Sequence, residues 1–290
     1  MKAINVRRQS WKNILRAHAP LVLPSAHDAL TARIIERAGF KAYQTGGFSL
    51  AAAMHAVPDV DLEHFGEKSD VVRKILTASP LPVLVDGDDG YGDAKNVTRT
   101  VHEYEAMGAS ALFIEDQVAP KKCGHMSGKQ VVGREDMVNK VKAACAARMS
   151  PDFFILARTD AIEPEGLKEA IRRGHAYAKA GADGIYIEGP RTKRELKEIG
   201  TSFKGVPLAT SILEGGGKTP WLPPDELHSL GFSMLLYPTS ILFRATKAIE
   251  DAAQDLLRGH RMPQKDAVNL KQFEEIVELS YWSKIEKQFS

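Results

Sequence analysis

Cysteine is nearly missing from this chain. Two thiols in 290 residues give no disulfide framework, which fits a reducing compartment, and the cytoplasm is the expected location. No stretch of about 18 apolar residues occurs, so no transmembrane helix is expected. Basic runs are short and the net charge is only +2, so neither nucleic acid nor a membrane surface is expected as a partner. The opening MKAINVRRQSWKNIL is charged throughout and has no apolar core, so it is not expected to act as a secretory signal. No low-complexity segment or interdomain linker breaks the chain. With 43% hydrophobic and 26% charged residues, the composition is that of one large globular domain.

What the chain does contain is a repeat: an amphipathic helix, a small-residue break, then a short apolar strand ending in polar residues. The strands read LVLPSAH (21–27), AYQTGG (42–47), PVLVDGD (82–88), ALFIEDQ (111–117), FFILARTD (153–160), GIYIEG (184–189), PLATSI (207–212) and MLLYPTS (234–240). The breaks AGF, MGA, AGA and LGF place a glycine just past a helix, where a C-terminal cap prefers it. The strands are nearly continuous apolar runs, as in a parallel sheet buried on both faces. Eight such units predict the α/β class and a (β/α)8 TIM barrel. The chain is read as a single domain over 1–290, with the barrel at about 20–260 and a C-terminal helical tail at about 261–290. Residues 1–20 form an amphipathic start able to close the barrel bottom. The tail run FEEIVELSYWSKIEKQF carries an apolar stripe that either a partner subunit or its own barrel must cover.

In such a barrel the active site lies at the C-terminal strand ends. Asp86, Asp88, Glu115, Asp116 and Glu188 all fall there. Close carboxylates repel, and a divalent cation relieves them; all-oxygen ligation suits Mg2+, or Mn2+, and not zinc. The alternation of Asp86 and Asp88 puts both on one strand face. Capping helices or pairing with Lys and Arg are the plainer roles for any one acid. Arg158 ends an apolar strand and suits either a substrate carboxylate or a salt bridge to Glu188 or Asp160. Tyr43 offers a hydroxyl, and Thr45-Gly46-Gly47 offers backbone N–H groups, for a carboxylate or oxyanion. Gly215-Gly216-Gly217 lacks phosphate-loop spacing and reads as a flexible turn.

The run Lys121-Lys122-Cys123-Gly124-His125-Met126 follows the fourth strand. Cations beside a thiol lower its pKa, so the segment reads first as a reactive-cysteine loop. Its surroundings from Val118 to Gly133 are long for a connection of this kind and suit a lid.

KKCGHM resembles the signature hexapeptide of isocitrate lyases. With YQTGG, VDGDDGYGD, IEDQ, ARTDA and EGGGKTPW, the chain resembles the isocitrate lyase and phosphoenolpyruvate mutase superfamily over roughly residues 20–290. The resemblance implies a barrel whose last helix is exchanged between subunits, a homotetramer, and Mg2+ at the mouth contacted by Asp86, Asp88 and Glu115. It implies substrate contacts from Tyr43, Thr45, Gly46, Gly47, Arg158 and Glu188, with Asp59 nearby, and Cys123 as an acid supported by Lys121 and His125. The length resembles the short-chain branch: 2,3-dimethylmalate lyases, methylisocitrate lyases, oxaloacetate hydrolases and carboxyphosphonoenolpyruvate mutases. One departure stands out. Where the family reads Asn-x-x-Glu, this chain reads Ser211-Ile212-Leu213-Glu214, and serine is shorter with a single donor. Pro238 stands where oxaloacetate hydrolases resemble one another in having serine. The choice among activities rests on Ser211, Leu213 and Pro238.

The function this implies is Mg-dependent retro-aldol cleavage of a 2-hydroxy dicarboxylate, with Cys123 as proton donor and Tyr43 or a metal-linked carboxylate as base. Carbon–phosphorus rearrangement by a carboxyphosphonoenolpyruvate mutase, or oxaloacetate hydrolysis, are the alternatives.

Overall fold

The computed structural model describes residues 10–261 and 263–290. The first nine residues of the amphipathic start, and Met262 of the tail, lie outside the described residues. The chain divides into two compact units, Met1–Ser240 and Ile241–Ser290. The division thus falls about 20 residues before the expected start of the tail.

The first unit alternates helices and strands. In order they are α1 (Trp11–His18), β1 (Leu21–Pro24), α2 (Ala29–Arg37), β2 (Tyr43–Thr45), α3 (Gly47–His55), α4 (Phe65–Ala78), β3 (Val83–Asp86), α5 (Ala94–Ala106), β4 (Ala111–Glu115) and α6 (Arg134–Ala147). There follow β5 (Phe154–Thr159), α7 (Ile162–Glu165), α8 (Leu167–Lys179), β6 (Gly184–Ile187), α9 (Lys193–Ser202), β7 (Leu208–Ser211), α10 (Pro224–Ser229) and β8 (Phe232–Tyr237). All eight strands are parallel and pair in the order β1-β8-β7-β6-β5-β4-β3-β2. The β1–β2 seam is closed by a single Ser25–Gln44 bridge, helped by the Gln44 amide donating to Leu23 O at 3.2 Å. This is the (β/α)8 TIM barrel expected from the strand count.

The predicted helix stops are present: Gly39, Gly108, Gly181 and Gly231 have φ between 90° and 112°, a region open to glycine and costly for a side chain. α3 is a helix the sequence pattern did not mark. Its residues, GFSLAAAMH, are small or apolar nearly all round, so no stripe distinguishes it.

Side chains alternate across each strand. Leu84, Ala111, Phe113, Phe154, Leu156, Tyr186, Ala209, Met234 and Leu236 point into the barrel and form one cluster with Trp11, Ile14 and Leu15 of α1. α1 therefore plugs the barrel bottom, as the amphipathic start suggested. Trp11 is fully buried, so its loss to alanine is of the order of 3–5 kcal/mol. With the lower barrel filled by apolar side chains, only the upper end is free for polar chemistry.

The second unit holds most of α11 (Ser240–Leu257), then α12 (Leu270–Ile276) and α13 (Leu279–Phe289). The sequence suggested one helical stripe across the tail; the backbone instead breaks at Glu278, which takes φ 58°.

Candidate active site

The phase of the strand alternation decides which end residues meet. Continuing the inward series Leu84, Phe113, Leu156, Tyr186, Ala209 and Leu236 by two residues gives Asp86, Glu115, Arg158, Glu188, Ser211 and Pro238. The β4–β5 register sets Glu115 opposite Arg158, and Arg158 Nη1 lies 3.2 Å from Glu115 Oε2. Arg158 also donates to Asp160 through Nε at 2.9 Å and Nη2 at 3.1 Å. Its guanidinium sits between the rings of Phe113 and Tyr186, 5.8 and 5.2 Å from their centroids. A guanidinium has five N–H donors; Nε and Nη2 are hydrogen-bonded to Asp160, and Nη1 is ion-paired with Glu115.

A cavity of about 40 Å³ opens at this level. Of the residues expected at the site, Gly46, Gly47, Asp59, Asp86, Cys123, His125, Arg158, Glu188, Ser211, Leu213 and Pro238 line it. Gly124 of the cysteine run lines it too, and Gln44, Phe48, Phe113, Tyr186 and Leu236 line it and were missed. Gln44 and Tyr186 were legible from the same alternation; Phe48 was hidden by the unmarked helix α3.

Several of the expected residues face away from the cavity or are already engaged. Tyr43 lies on the outward phase of β2: it is fully buried, and its hydroxyl donates to Ile75 O at 3.3 Å, behind the barrel wall. Thr45 shares that phase and does not line the cavity. The N–H groups of Gly46 and Gly47 are already used, by Ser25 Oγ at 3.2 Å and Asp86 Oδ2 at 2.9 Å. Asp116 points outward and accepts from Thr159 Oγ1, Asp160 N, Tyr177 OH and Arg173 Nη1. Asp88 lies beyond the end of β3, with φ 47°, so strand alternation does not apply to it. It meets Lys68 Nζ at 2.5 Å and Lys121 Nζ at 2.7 Å. Burial alone would raise Asp88, but Lys121 and Lys68 hold it well below the usual carboxylate range.

The Cys123 loop stands on a short stem. Val118 N donates to Gln130 O at 2.9 Å and Val132 N to Asp116 O at 2.8 Å. Within it, Lys121 Nζ reaches Asp59 Oδ1 at 2.6 Å, and Lys129 Nζ reaches Gly124 O at 2.5 Å and Asp160 Oδ1 at 2.7 Å. A Cβ on Gly124 would stand 2.4 Å from Arg158 Nη2 and 2.7 Å from Glu188 Cγ, so only glycine lets the loop lie this close.

The two lysines do not activate the thiol. Lys121 turns to Asp59 and Asp88, and Lys122 Nζ to Gly128 O. Burial first, then the Asp59 charge, pushes the Cys123 thiol up to about 11. The reactive-thiolate reading therefore gives way to a thiol that keeps its proton. His125, by contrast, is lowered by burial. Its Nδ1 accepts from Lys218 N at 3.0 Å, which leaves the proton on Nε2, 3.4 Å from Ser211 Oγ and 3.6 Å from Glu188 Oε1.

The carboxylates are not left to repel one another, as the sequence argument for a cation supposed. Asp59, Asp86, Asp88, Glu115, Asp160 and Glu188 face Lys68, Lys121, Lys129 and Arg158. Lys68 of α4 and Lys129 of the loop could not be placed from sequence. Among the described residues no group of three or more His, Cys, Asp or Glu is gathered to hold a metal ion. The acids still outnumber these cations by two. Asp86 faces the cavity with backbone N–H partners at 2.9 and 3.0 Å, and Glu115 Oε1 is buried without a hydrogen-bond partner. One or two carboxylates with waters are what Mg2+ commonly takes, so Asp86 and Glu115 fit such an ion.

The family model for phosphoenolpyruvate phosphomutase matches residues 12–257. This chain belongs to the phosphoenolpyruvate mutase/isocitrate lyase superfamily. It is 45% identical over 240 residues to 2,3-dimethylmalate lyase of Eubacterium barkeri, covering 83% of this chain and 82% of that protein. It is 37% identical over 286 residues to the chloroplastic carboxyvinyl-carboxyphosphonate phosphorylmutase of Arabidopsis thaliana, covering 97% and 84%. The structure of oxaloacetate acetylhydrolase in complex with 3,3-difluorooxalacetate superposes with a TM-score of 0.92 at 29% identity, covering 97% of this chain and 96% of that one. The superfamily thus spans lyases, hydrolases and mutases on one barrel, and the mouth must separate them.

Proposed function

We propose that this chain is a carbon–carbon lyase. It cleaves a 2-hydroxy dicarboxylate of the 2,3-dimethylmalate or 2-methylisocitrate kind to a 2-oxo acid such as pyruvate and a second carboxylate. The observation that carries this reading is the Cys123 thiol, which lines the cavity with Arg158 and is kept protonated by burial. Retro-aldol cleavage leaves a carbanionic carbon that must be protonated, and a neutral thiol at the cavity wall suits that step. The 45% identity to a dimethylmalate lyase supports the same choice.

Arg158 binds a substrate carboxylate through N–H groups not hydrogen-bonded to Asp160 and stabilises the charge that develops as C2–C3 breaks. Cys123 delivers its proton to C3. His125 offers Nε2–H toward Ser211 and Glu188, beside the second carboxylate. With Tyr43 facing away, the C2 hydroxyl proton passes to a strand-end carboxylate. A divalent cation held by Asp86 and Glu115, with Asp88 anchoring Lys121 behind them, would supply Lewis acidity toward the 2-hydroxy acid. Leu213, Pro238 and Phe48 form the apolar side of the cavity and set the width available to C3 substituents.

The exposed apolar side chains of the C-terminal unit, among them Ile249, Leu257, Trp282 and Phe289, suit contact with a second copy. We read the enzyme as a homotetramer with an exchanged terminal helix, checked by light scattering. Its two free thiols fit the cytoplasm; no helix among the described residues is long and apolar enough to cross a membrane.

The test is pyruvate release from 2,3-dimethylmalate, 2-methylisocitrate, 2-alkylmalates and oxaloacetate, beside phosphorus NMR with phosphonate substrates. Turnover of methylated malates is expected. Carbon–phosphorus rearrangement without carbon–carbon cleavage would overturn the reading in favour of the mutase, which the 37% identity to a phosphorylmutase keeps as the runner-up.

A further inference from the structure

We propose that Lys218 is a positioning residue: with Glu163 it latches the Cys123 loop over the cavity and fixes the proton of His125 on Nε2. The assignment rests on the lyase reading for what Cys123 and His125 do, but not for the latch itself.

Lys218 touches the loop at two points and Glu163 of α7 at a third. Its backbone N donates to His125 Nδ1 at 3.0 Å, its Nζ to Met126 O at 2.7 Å, and the same Nζ to Glu163 Oε2 at 2.6 Å. Glu163 then accepts from Gly128 N through its other oxygen at 2.7 Å. The ion pair therefore grips the loop at Met126 and at Gly128, while the Lys218 backbone N–H holds His125. Contact is flush, because a Cβ on Gly217 would lie 2.6 Å from Leu213 O and 3.2 Å from His125 Cε1.

Other tethers of the loop are more deeply buried. The side chains of Lys121 and Lys129 are 4% and 2% exposed, against 16% for Lys218 and 21% for Glu163. Water competes best for the Lys218–Glu163 pair, so it is the tether that opens first when substrate enters. Two glycines at positive φ precede it, Gly215 at 87° and Gly216 at 130°, and give the β7 connection a place to bend. That connection also carries Leu213, which lines the cavity, so movement at the substrate wall and release of the loop share one segment. The glycine run Gly215-Gly216-Gly217 thereby has a task beyond that of a flexible turn.

The tautomer follows from the same contact. An N–H aimed at Nδ1 forbids a proton there, so Nε2 must carry it, and Nε2 is the atom facing Ser211 and Glu188.

The test uses the full chain with Lys218→Met, Glu163→Gln, both together, and Lys218→Arg. Amide hydrogen exchange of residues 124–131 is measured without substrate. Each single variant is expected to speed exchange there by about tenfold to a hundredfold, the size of one charge-assisted hydrogen bond. The double variant should go no further than the larger single, because the pair acts as one unit. Lys218→Arg should restore much of the protection. Histidine nitrogen NMR should show one neutral tautomer of His125 in the parent, protonated on Nε2, and a proton on Nδ1 would overturn that assignment. Unchanged exchange, or single effects that simply add, would overturn the latch. Faster exchange in a protein that turns over no substrate in the panel would leave the latch standing and sink the lyase reading; turnover with unchanged exchange would do the reverse.

Discussion

Glu115 and Asp116 are consecutive acids on one strand end, both buried, with 1% and 0% exposure. Glu115 faces the barrel axis, pairs loosely with Arg158 at 3.2 Å and keeps Oε1 without a hydrogen-bond partner. Asp116 faces the helices and is saturated: Thr159 and Tyr177 hydroxyls at 2.7 Å, Asp160 N at 2.9 Å and Arg173 at 3.2 Å. Burial raises both carboxyls, so the titration of either says little about its task. The unmet hydrogen-bonding capacity says more. The inner face holds groups poised for a ligand, while the outer face fastens β4, β5 and α8 together.

If that division is right, Asp116→Ala gives the largest loss of stability. It strands a threonine hydroxyl, a tyrosine hydroxyl and a backbone N–H, and it removes one partner of a buried charge network. About 3–5 kcal/mol of unfolding free energy should go, read from urea unfolding. An effect below about 1 kcal/mol would erase the distinction between the faces.

On the inner face the losses should be of rate. Cys123→Ser is expected to keep the unfolding midpoint and lower kcat about 10²- to 10⁴-fold, the usual range for a general acid. Full cleavage rate in that variant would remove Cys123 from the acid role. Next in size is Glu115→Gln. It removes a buried charge while keeping shape, so the midpoint should hold or rise while kcat falls about 10²- to 10³-fold, as when a preorganised charged contact is lost.

The thiol also makes a pH prediction. Below pH 9.0, the ordinary value for a thiol here, Cys123 is neutral in both folded and unfolded chains and contributes no pH dependence. Above it the unfolded chain ionises while the folded one resists until about 11. Stability from this group is thus present at low pH and lost as pH rises from about 9 to about 11. Alkylation by iodoacetamide should be slow at neutral pH and accelerate through that window. Rapid modification at pH 7 would restore the reactive-thiolate reading.

The barrel was legible because apolar runs and post-helical glycines are local signals, and the four cap glycines have positive φ, as such caps require. The mouth was legible only to the level of strand ends. Strands apolar on both faces do not reveal which phase points inward, so Asp116, Tyr43 and Thr45 were grouped with residues across the wall. The cations that balance the mouth were beyond reach for another reason. Lys68 comes from α4 and Lys129 from a loop, and their directions are set by tertiary contacts alone. Lys121 and Lys122 misled because adjacency to Cys123 in sequence is not proximity of their charged ends.

Tyr43→Phe is the smallest expected effect and tests the phase directly. The hydroxyl lies behind β2, donating to Ile75 O at 3.3 Å, a long bond whose loss should change stability by no more than about 1 kcal/mol. The ring, fully buried, keeps its packing in the variant. Steady-state cleavage of the substrate found in the panel should stay within about threefold of the parent, since no proton of the reaction passes through this oxygen; a hundredfold fall in kcat, the lower end for a general base, would mean that the β2 end turns its outer face toward the substrate during the reaction.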